Sequence, residues 1–594
     1  MTHLVDLTKA PYNLNKEDIQ WVEDTISQMS LDEKIGQLFV NMGSSRSEEY
    51  LTEMVQKYHI AAVRYNPAKA SEVYDQNYIL QTKSKIPLLI AANTEAGGNG
   101  ACVDGTEVGK EVKIGATNDV KYAYEMGRVS GVEASAIGCN WSFAPIVDLN
   151  RNWRNPIISS RSWSKDVDTV LQMSLAYMKG IQESGILPAA KHFPGDGVDE
   201  RDQHLSFSVN SYSTEEWDNT YGKIYKGLID AGLPSIMAGH IQLPSYEQYF
   251  HPELTAEDAL PATLSKPLLD ELLRGKLGFN GLVVTDASHM LGMSSIMSRR
   301  EALPTAIEAG CDLFLFFNDP DEDMAYMKEG YLNGLLSEER LHDALRRSLG
   351  LKAKLGLHKK VKEEILPPKQ EAMAKIGLSE NKAIFREVAD KAITLVKDKQ
   401  KNIFPITPQR YPRVLLVPVR GIEGGFGALI NSGKPKAIDL FKGLLEEKGF
   451  QVTIWQDIET KIKNMPPEEQ RQALINVYAQ KRPISELTDN YDLIINVADI
   501  NTGATTQRII WPASKGTPDI PFYVHEVPTI FISLQCPYHL ADVPQVGTYI
   551  NAYDGNLVTL EELLKKLMGE STFKGTDPVD AYCGLKDTHI WRGK

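Results

Sequence analysis

Cysteine is scarce in this sequence. Five residues, Cys102, Cys139, Cys311, Cys536 and Cys583, are scattered through 594 positions. Their number is odd and no C-x-x-C occurs, which excludes a disulfide framework and a cysteine zinc cage. Free thiols in a reducing compartment are expected. Long apolar runs are missing too, so no segment is read as crossing a membrane. The opening MTHLVDLTKAPYNLNKED has no basic stretch followed by an apolar one, so no secretory leader is read there. A cytoplasmic protein is expected. Positive charge is in deficit, 64 Lys and Arg against 78 Asp and Glu, for a net charge of -14. That argues against nucleic-acid binding through phosphates. Neither H-x-H nor H-x-x-x-H occurs, and there is no internal repeat or low-complexity tract.

What remains is an ordinary globular composition, 42% hydrophobic and 24% charged, long enough for two domains. Residues 16 to 30 place Ile19, Val22, Ile26 and Met29 at helical spacing, with Asn15 as N-cap. Eight apolar runs follow, alternating with amphipathic helices: GQLFVNMG, AAVRY, PLLIAANTE, CNWSFAPIVDL, GILPAAKHFPG, PSIMAGHI, GLVVTDA and DLFLFF. The count suggests a (β/α)8 TIM-like barrel, and an open parallel sheet also fits. Glu95, Asp148, Lys191, His192, His240 and Asp286 each end or follow one of these runs. A barrel gathers its chemistry there, around a ring. An open sheet would collect it near one switch point.

The helix SEERLHDALRRSLGLKAKLGL closes a first domain, 1–357. HKKVKEEILPPKQE opens a linker, 358–384. A helix over about 378–396 is expected next. The runs RVLLVPV, QVTIW, DLIINVA, TIFISL and TYINAY then predict an α/β (αβα) sandwich domain over 385–594.

The densest chemistry lies in KHFPGDGVDERDQH, 191–204. His192, Asp196, Asp199, Asp202 and His204 could be metal ligands, but the spacing is not that of a zinc site. No metal and no cofactor is expected. A solvated charged loop is the plain alternative. A third reading pairs Asp202 with His204, two apart and on one side of an extended segment. The carboxylate would fix the imidazole tautomer and raise its basicity, giving a proton-transfer group for neutral pH. Asp286, after GLVVT, can point into a barrel mouth as a nucleophile or can cap the next helix.

Together with CNWSFAPIVDLN, RSWS, PATLSKPLLDELLRGKLGFNGLVVTDA and AIEAGCDLFLFF, the K-H-F-P-G-x-G and D-x-H pattern resembles the family 3 glycoside hydrolases. Within them it resembles the β-N-acetylglucosaminidases. ADKAITLVKDKQ and PTIFISLQCPYHLADVP resemble the second domain of two-domain members. The resemblance implies retaining hydrolysis of a small carbohydrate. Asp286 matches the nucleophile, and His204 with Asp202 matches the general acid/base. Lys191, His192 and Arg161 match residues that hold sugar hydroxyls and the N-acetyl group. Asp148 matches a position supporting Lys191 or the sugar. Where many members read D-Q-E-G-G, this chain reads NTEAGG. Asn93 replaces a charged acceptor of sugar hydroxyls, and Glu95 either compensates or braces a loop.

Two alternatives stay in view. An imidazole base does not repel inorganic phosphate as a carboxylate does, so phosphorolysis, or action on a β-glucoside, is compatible with the same site. A catalytically inactive sugar-binding or scaffolding protein is the other. Weaker signals receive plain readings. GIEGGFG (421–427) is read as a tight turn. Asp270 and Glu271 are read as a solvated helix face. His240 and His289 either line the pocket or serve the structure. Trp141 and Trp163 either stack on sugar or fill the core.

Overall fold

The computed structural model describes residues 3–421, 436–479, 483–500, 507–511 and 519–593. Two compact units divide the chain. One comprises Met1–Glu111 and Asp119–Ile384, the other Val112–Asn118 and Phe385–Lys594.

The first unit opens with helix α1 (Lys16–Gln28), whose N-cap Asn15 accepts from the Asp18 backbone N–H and whose Val22 and Ile26 are buried. All eight apolar runs become parallel strands of a closed barrel. They are β1 (Phe39–Met42), β2 (Ala62–Arg64), β3 (Leu89–Ala92), β4 (Trp141–Ser142), β5 (Leu187–Phe193), β6 (Ser235–Ala238), β7 (Leu282–Ala287) and β8 (Leu313–Leu315). The hydrogen-bonded order β1-β8-β7-β6-β5-β4-β3-β2 excludes the open sheet. Strands covered on both faces need continuous apolar runs, which is the pattern these segments carry. Trp141 and Trp163 are fully buried, so they are core and not sugar platforms.

At the N-terminal end of β8 lies the unit's main buried ion cluster. Asp312 accepts from Arg274 at 3.0 Å and from Arg340, with Arg347 at 3.7 Å. Asp343 bridges Arg340 at 2.9 Å and Arg347 at 2.8 Å, and these cations hold its pKa down to about 2 against burial. The expected solvated face at Asp270 is not found. Asp270 is buried and accepts both the backbone N–H (3.0 Å) and Nδ1 (3.1 Å) of His3. The amino-terminal strap covers that helix, a long-range contact that helical periodicity does not reveal.

The second unit holds a six-stranded mixed sheet. Its strands are β9 (Thr394–Asp398), β10 (Arg413–Val419), β11 (Gln451–Ile454), β12 (Leu493–Ala498), β13 (Thr529–Ser533) and β14 (Thr548–Asn551), in the order β9-β14-β13-β12-β10-β11. Sequence reading gave five of these. It ran the preceding helix through β9, but that helix stops at Ala392 and Thr394–Asp398 pairs antiparallel with β14. Along β10, Val414 and Leu416 face a core shared with Phe441, Leu560 and Leu563, while Leu415 and Val417 face Leu487 and Tyr523. Period-two burial therefore serves two cores. Val112–Asn118 belongs to this unit because buried Lys113 pairs with Asp554 and hydrogen-bonds Thr559 at 2.8 Å. The GIEGGFG stretch, Gly421 apart, lies outside the described residues. No described helix is long and apolar enough to cross a membrane.

Replacing Asp312 by Asn leaves three buried guanidinium groups facing Asp343 alone. Loss of one partner in a buried ion cluster costs about 3–5 kcal/mol. Urea denaturation followed by tryptophan fluorescence should show the barrel unit's midpoint falling accordingly.

Candidate active site

The C-terminal ends of β3, β4, β5 and β7 supply the polar residues of one rim. Asp148, after β4, is fully buried. Its Oδ2 lies 2.7 Å from His192 Nδ1, and its Oδ1 accepts the backbone N–H groups of His192 (3.2 Å) and Asp196 (2.8 Å). The expectation that Asp148 supports Lys191 or touches sugar is therefore corrected: it holds His192 and has no exposed surface. The other imidazole nitrogen, His192 Nε2, sits 3.8 Å from Asp286 Oδ2.

Asp286 ends β7. Its Oδ1 accepts the Ala287 N–H at 2.7 Å. Burial would raise its pKa, but the charges of His192, His240 and His204 and the Ala287 bond outweigh that, and the net shift is downward. An ionised carboxylate results. His240 is buried, with Nδ1 2.9 Å from Thr263 Oγ1 and Nε2 3.0 Å from the Ala287 carbonyl oxygen. It buttresses the backbone next to Asp286 and serves the structure. His289 is exposed, and desolvation lowers its pKa.

Asp202 and His204 do pair, Oδ1 to Nδ1 at 2.7 Å. The expected extended segment is absent. The same Oδ1 accepts the His204 backbone N–H at 2.9 Å, so the pair is an Asx-type turn that brings a carboxylate to the residue two positions on. Burial alone would lower the His204 pKa. The Asp202 hydrogen bond and charge, with the Asp286 charge, reverse that and raise it.

The segment that carries this dyad is anchored at several points. Gln203, between the two residues, donates through Nε2 to Asp196 Oδ2 (3.1 Å) and accepts the His240 N–H at Oε1 (2.8 Å). Gly292 N–H donates to the Gln203 carbonyl at 3.0 Å, and Leu291 N–H to that of His204 at 3.1 Å. Gly195 and Gly197 serve close approach. A Cβ on Gly195 would stand 2.2 Å from the Tyr221 ring, and one on Gly197, at φ +96°, 2.0 Å from the Leu149 carbonyl oxygen. Asp196 is buried beside Asp148, and desolvation and that charge push its pKa up to about 7. Gln203 escaped sequence reading because nothing separates it from an ordinary exposed loop glutamine.

Glu95 is the hub of the opposite side. Its carboxylate accepts Lys191 Nζ at 2.6 Å and Arg161 Nε and Nη2, each at 3.0 Å. Burial would raise its pKa, yet these two cations hold it well below the usual range. Glu95 thus braces Lys191 and Arg161. Asn93 accepts Arg64 Nε at 3.1 Å. Arg64 was missed, although a charged residue ending the run AAVRY is the same signal that marked Asp286.

A closed parallel barrel that gathers a carboxylate and a carboxylate-backed imidazole on its C-terminal rim has the arrangement of a barrel enzyme's reactive face. Known proteins narrow the class. Residues 30–351 match the glycosyl hydrolase family 3 N terminal domain. The chain is 40% identical over 595 residues to a beta-N-acetylglucosaminidase/beta-glucosidase of Cellulomonas fimi, spanning 99% of this chain and 100% of that one. It is also 40% identical to a solved beta-glucoside phosphorylase, with TM-score 0.88, covering 98% of this chain and 99% of the other. A family 3 beta-N-acetylglucosaminidase from Paenibacillus sp., at 23% identity and TM-score 0.73, shares the fold over 94% of this chain and 100% of its own. The chain belongs to glycosyl hydrolase family 3. It is a glycoside hydrolase.

Asp202→Asn removes the charge that holds the His204 pKa up. A general acid must be protonated, so activity falls as pH rises through its pKa. The alkaline limb of the kcat/KM profile should therefore move to lower pH. The rate on a poor leaving group should fall by about 10²–10⁴-fold. An unmoved limb would assign the proton to another residue.

Proposed function

We propose that the protein is a retaining exo-glycosidase that releases terminal β-linked N-acetylglucosamine from small glycans or cell-wall fragments. The observation that carries this reading is the rim geometry. An ionised Asp286 and a carboxylate-backed His204 lie within each other's electrostatic reach. Asp286 attacks the anomeric carbon through Oδ2, since Oδ1 is engaged by Ala287 N–H. His204 protonates the departing glycosidic oxygen from Nε2, because Nδ1 is bonded to Asp202. The imidazole, now neutral, takes a proton from water, which attacks the glycosyl-aspartate from the face the leaving group vacated. Two inversions give net retention. Lys191, Arg161 and Asn93 meet the sugar hydroxyls and N-acetyl group, with Glu95 orienting the two cations. His192, held by Asp148, lies beside the nucleophile and helps keep it ionised.

The name of the Cellulomonas relative, which covers both N-acetylglucosaminides and glucosides, supports the sugar class and leaves β-glucosides as further substrates. Phosphorolysis is the second reading, favoured by the name of the 40%-identical phosphorylase and by the imidazole base. A phosphate dianion approaches a neutral imidazole without the repulsion a carboxylate imposes. Five buried cysteines, none of them in a disulfide, support a cytoplasmic setting. The reaction is assigned to the barrel domain, 1–357, with 358–384 as a linker and 385–594 as a sandwich domain.

Turnover of 4-nitrophenyl β-N-acetylglucosaminide should fall by roughly three orders of magnitude or more in Asp286→Ala. Running the wild type with and without phosphate and reading products by ¹H and ³¹P NMR separates the two chemistries. Sugar with a free β-hydroxyl at C1 supports hydrolysis, and sugar 1-phosphate supports phosphorolysis. No turnover of either an N-acetylglucosaminide or a glucoside by the wild type would sink the glycosidase reading.

A further inference from the structure

At the mouth of the barrel, beside Asn93, two arginines lack what every comparable arginine has. In the barrel unit, Arg128, Arg161, Arg274, Arg299, Arg340, Arg346 and Arg347 are at least partly buried, and each has a carboxylate within 4 Å. Arg46 and Arg64 are also partly buried, and among the described residues neither has one. They converge on a single neutral residue. Arg64 Nη1 donates to Asn66 Oδ1 at 2.6 Å, and Arg46 Nη2 donates to the Asn66 carbonyl oxygen at 2.5 Å. Arg46 packs over the Tyr65 ring at 5.2 Å, and its buried Nε–H has no hydrogen-bond partner.

Arg64 Nε also donates to Asn93 Oδ1. A family aspartate here would accept from sugar hydroxyls through two oxygens. Asn93, with one lone pair of its single oxygen engaged by Arg64, offers a ligand two N–H donors and one remaining acceptor site. The corner formed by Arg46, Arg64 and Asn93 is therefore rich in donors, cationic and partly dehydrated. Guanidinium groups stay protonated at any working pH. Burial disfavours the charged form of Arg64, and the Glu95 charge offsets that in part; a desolvated charge without a close counter-charge is costly in a folded protein. Pairing with an oxyanion, in the fork geometry that guanidinium offers to phosphate or carboxylate, removes that cost.

We propose that this corner binds an anionic substituent, of phosphate or carboxylate type, carried at the edge of the substrate sugar far from the scissile bond. The inference rests on the glycosidase reading, which puts Asn93 against the distal hydroxyls. It narrows the substrate class from neutral glycosides to acidic ones, sugar 6-phosphates first. An inorganic anion shares the chemistry but not the placement.

The test is binding and turnover on the full chain. Calorimetry with N-acetylglucosamine, its 6-phosphate and inorganic phosphate is paired with kcat/KM on 4-nitrophenyl β-N-acetylglucosaminide, the β-glucoside, and the 6-phosphate of each. The 6-phosphates should be favoured by about 10- to 100-fold, the range of one or two charge-assisted hydrogen bonds. Arg46→Met and Arg64→Met should each reduce that ratio at least several-fold, and Arg46→Lys should keep part of it. Equal affinity for neutral and phosphorylated sugars overturns the proposal. So does inorganic phosphate that binds as tightly as the sugar phosphate in an Arg46-dependent way, because the corner is then a free-anion site. Binding preference without turnover of any glycoside sinks the glycosidase reading and leaves the anion corner standing.

Discussion

Everything on the reactive rim is referenced to one buried carboxylate. Asp148 has no exposed surface and accepts three hydrogen bonds, from the His192 ring, the His192 backbone and the Asp196 backbone. These bonds tie the segment after β4 to the end of β5 and to the start of the acidic–histidine loop. A buried charge is tolerated only when its lone pairs are occupied, so these partners are fixed by what Asp148 requires. His192 is thereby held in one orientation, with its second nitrogen toward Asp286. Asp196, forced to share the dry space, shifts toward protonation and meets Gln203. The position of the dyad follows from this chain of contacts and not from the loop sequence alone.

Charge on the rim falls into two sets, linked by Arg161, whose charge also acts on Asp202 and His204. Around Asp286, the imidazoles of His192, His240 and His204 favour the ionised carboxylate. Around Glu95, Arg161 and Lys191 supply the cations that keep its carboxylate ionised. The polar groups come from β3, β4, β5 and β7, so the reactive atoms are positioned by strands that the closed barrel itself keeps in register.

The barrel was legible because parallel strands buried on both faces must be apolar throughout, and eight such runs survive inspection of a single sequence. The reactive residues were legible where they end those runs. Asp286 falls in this group; the Asp202–His204 pair was read instead from its two-residue spacing in the loop, and it owes its contact to an Asx turn and not to strand alternation. Partnerships were not legible. Whether Asp148 serves Lys191 or His192, and whether Asp270 faces water or His3, depends on residues that are distant along the chain. Strand β9 was hidden for a related reason. It is short, directly abuts a helix, and is stabilised by antiparallel pairing with a strand about 150 residues away. Gln203 carries no composition signal, since a polar residue in a loop is the ordinary case, whereas Arg64 closes its strand as Asp286 does and was readable by the same rule.

The second unit's inclusion of Val112–Asn118 bears on how this protein can be divided. The carboxylate of Asp554 is nearly buried and is matched by a fully buried ammonium from position 113. A fragment beginning at residue 385 would carry the acid without the base. Chain order and structural order do not coincide here: the later unit cannot be completed without seven residues synthesised long before it. Evolutionary exchange of that unit between unrelated barrels would have to carry this distant stretch along or change Asp554 at the same time. The pair thus acts as a lock on modular shuffling.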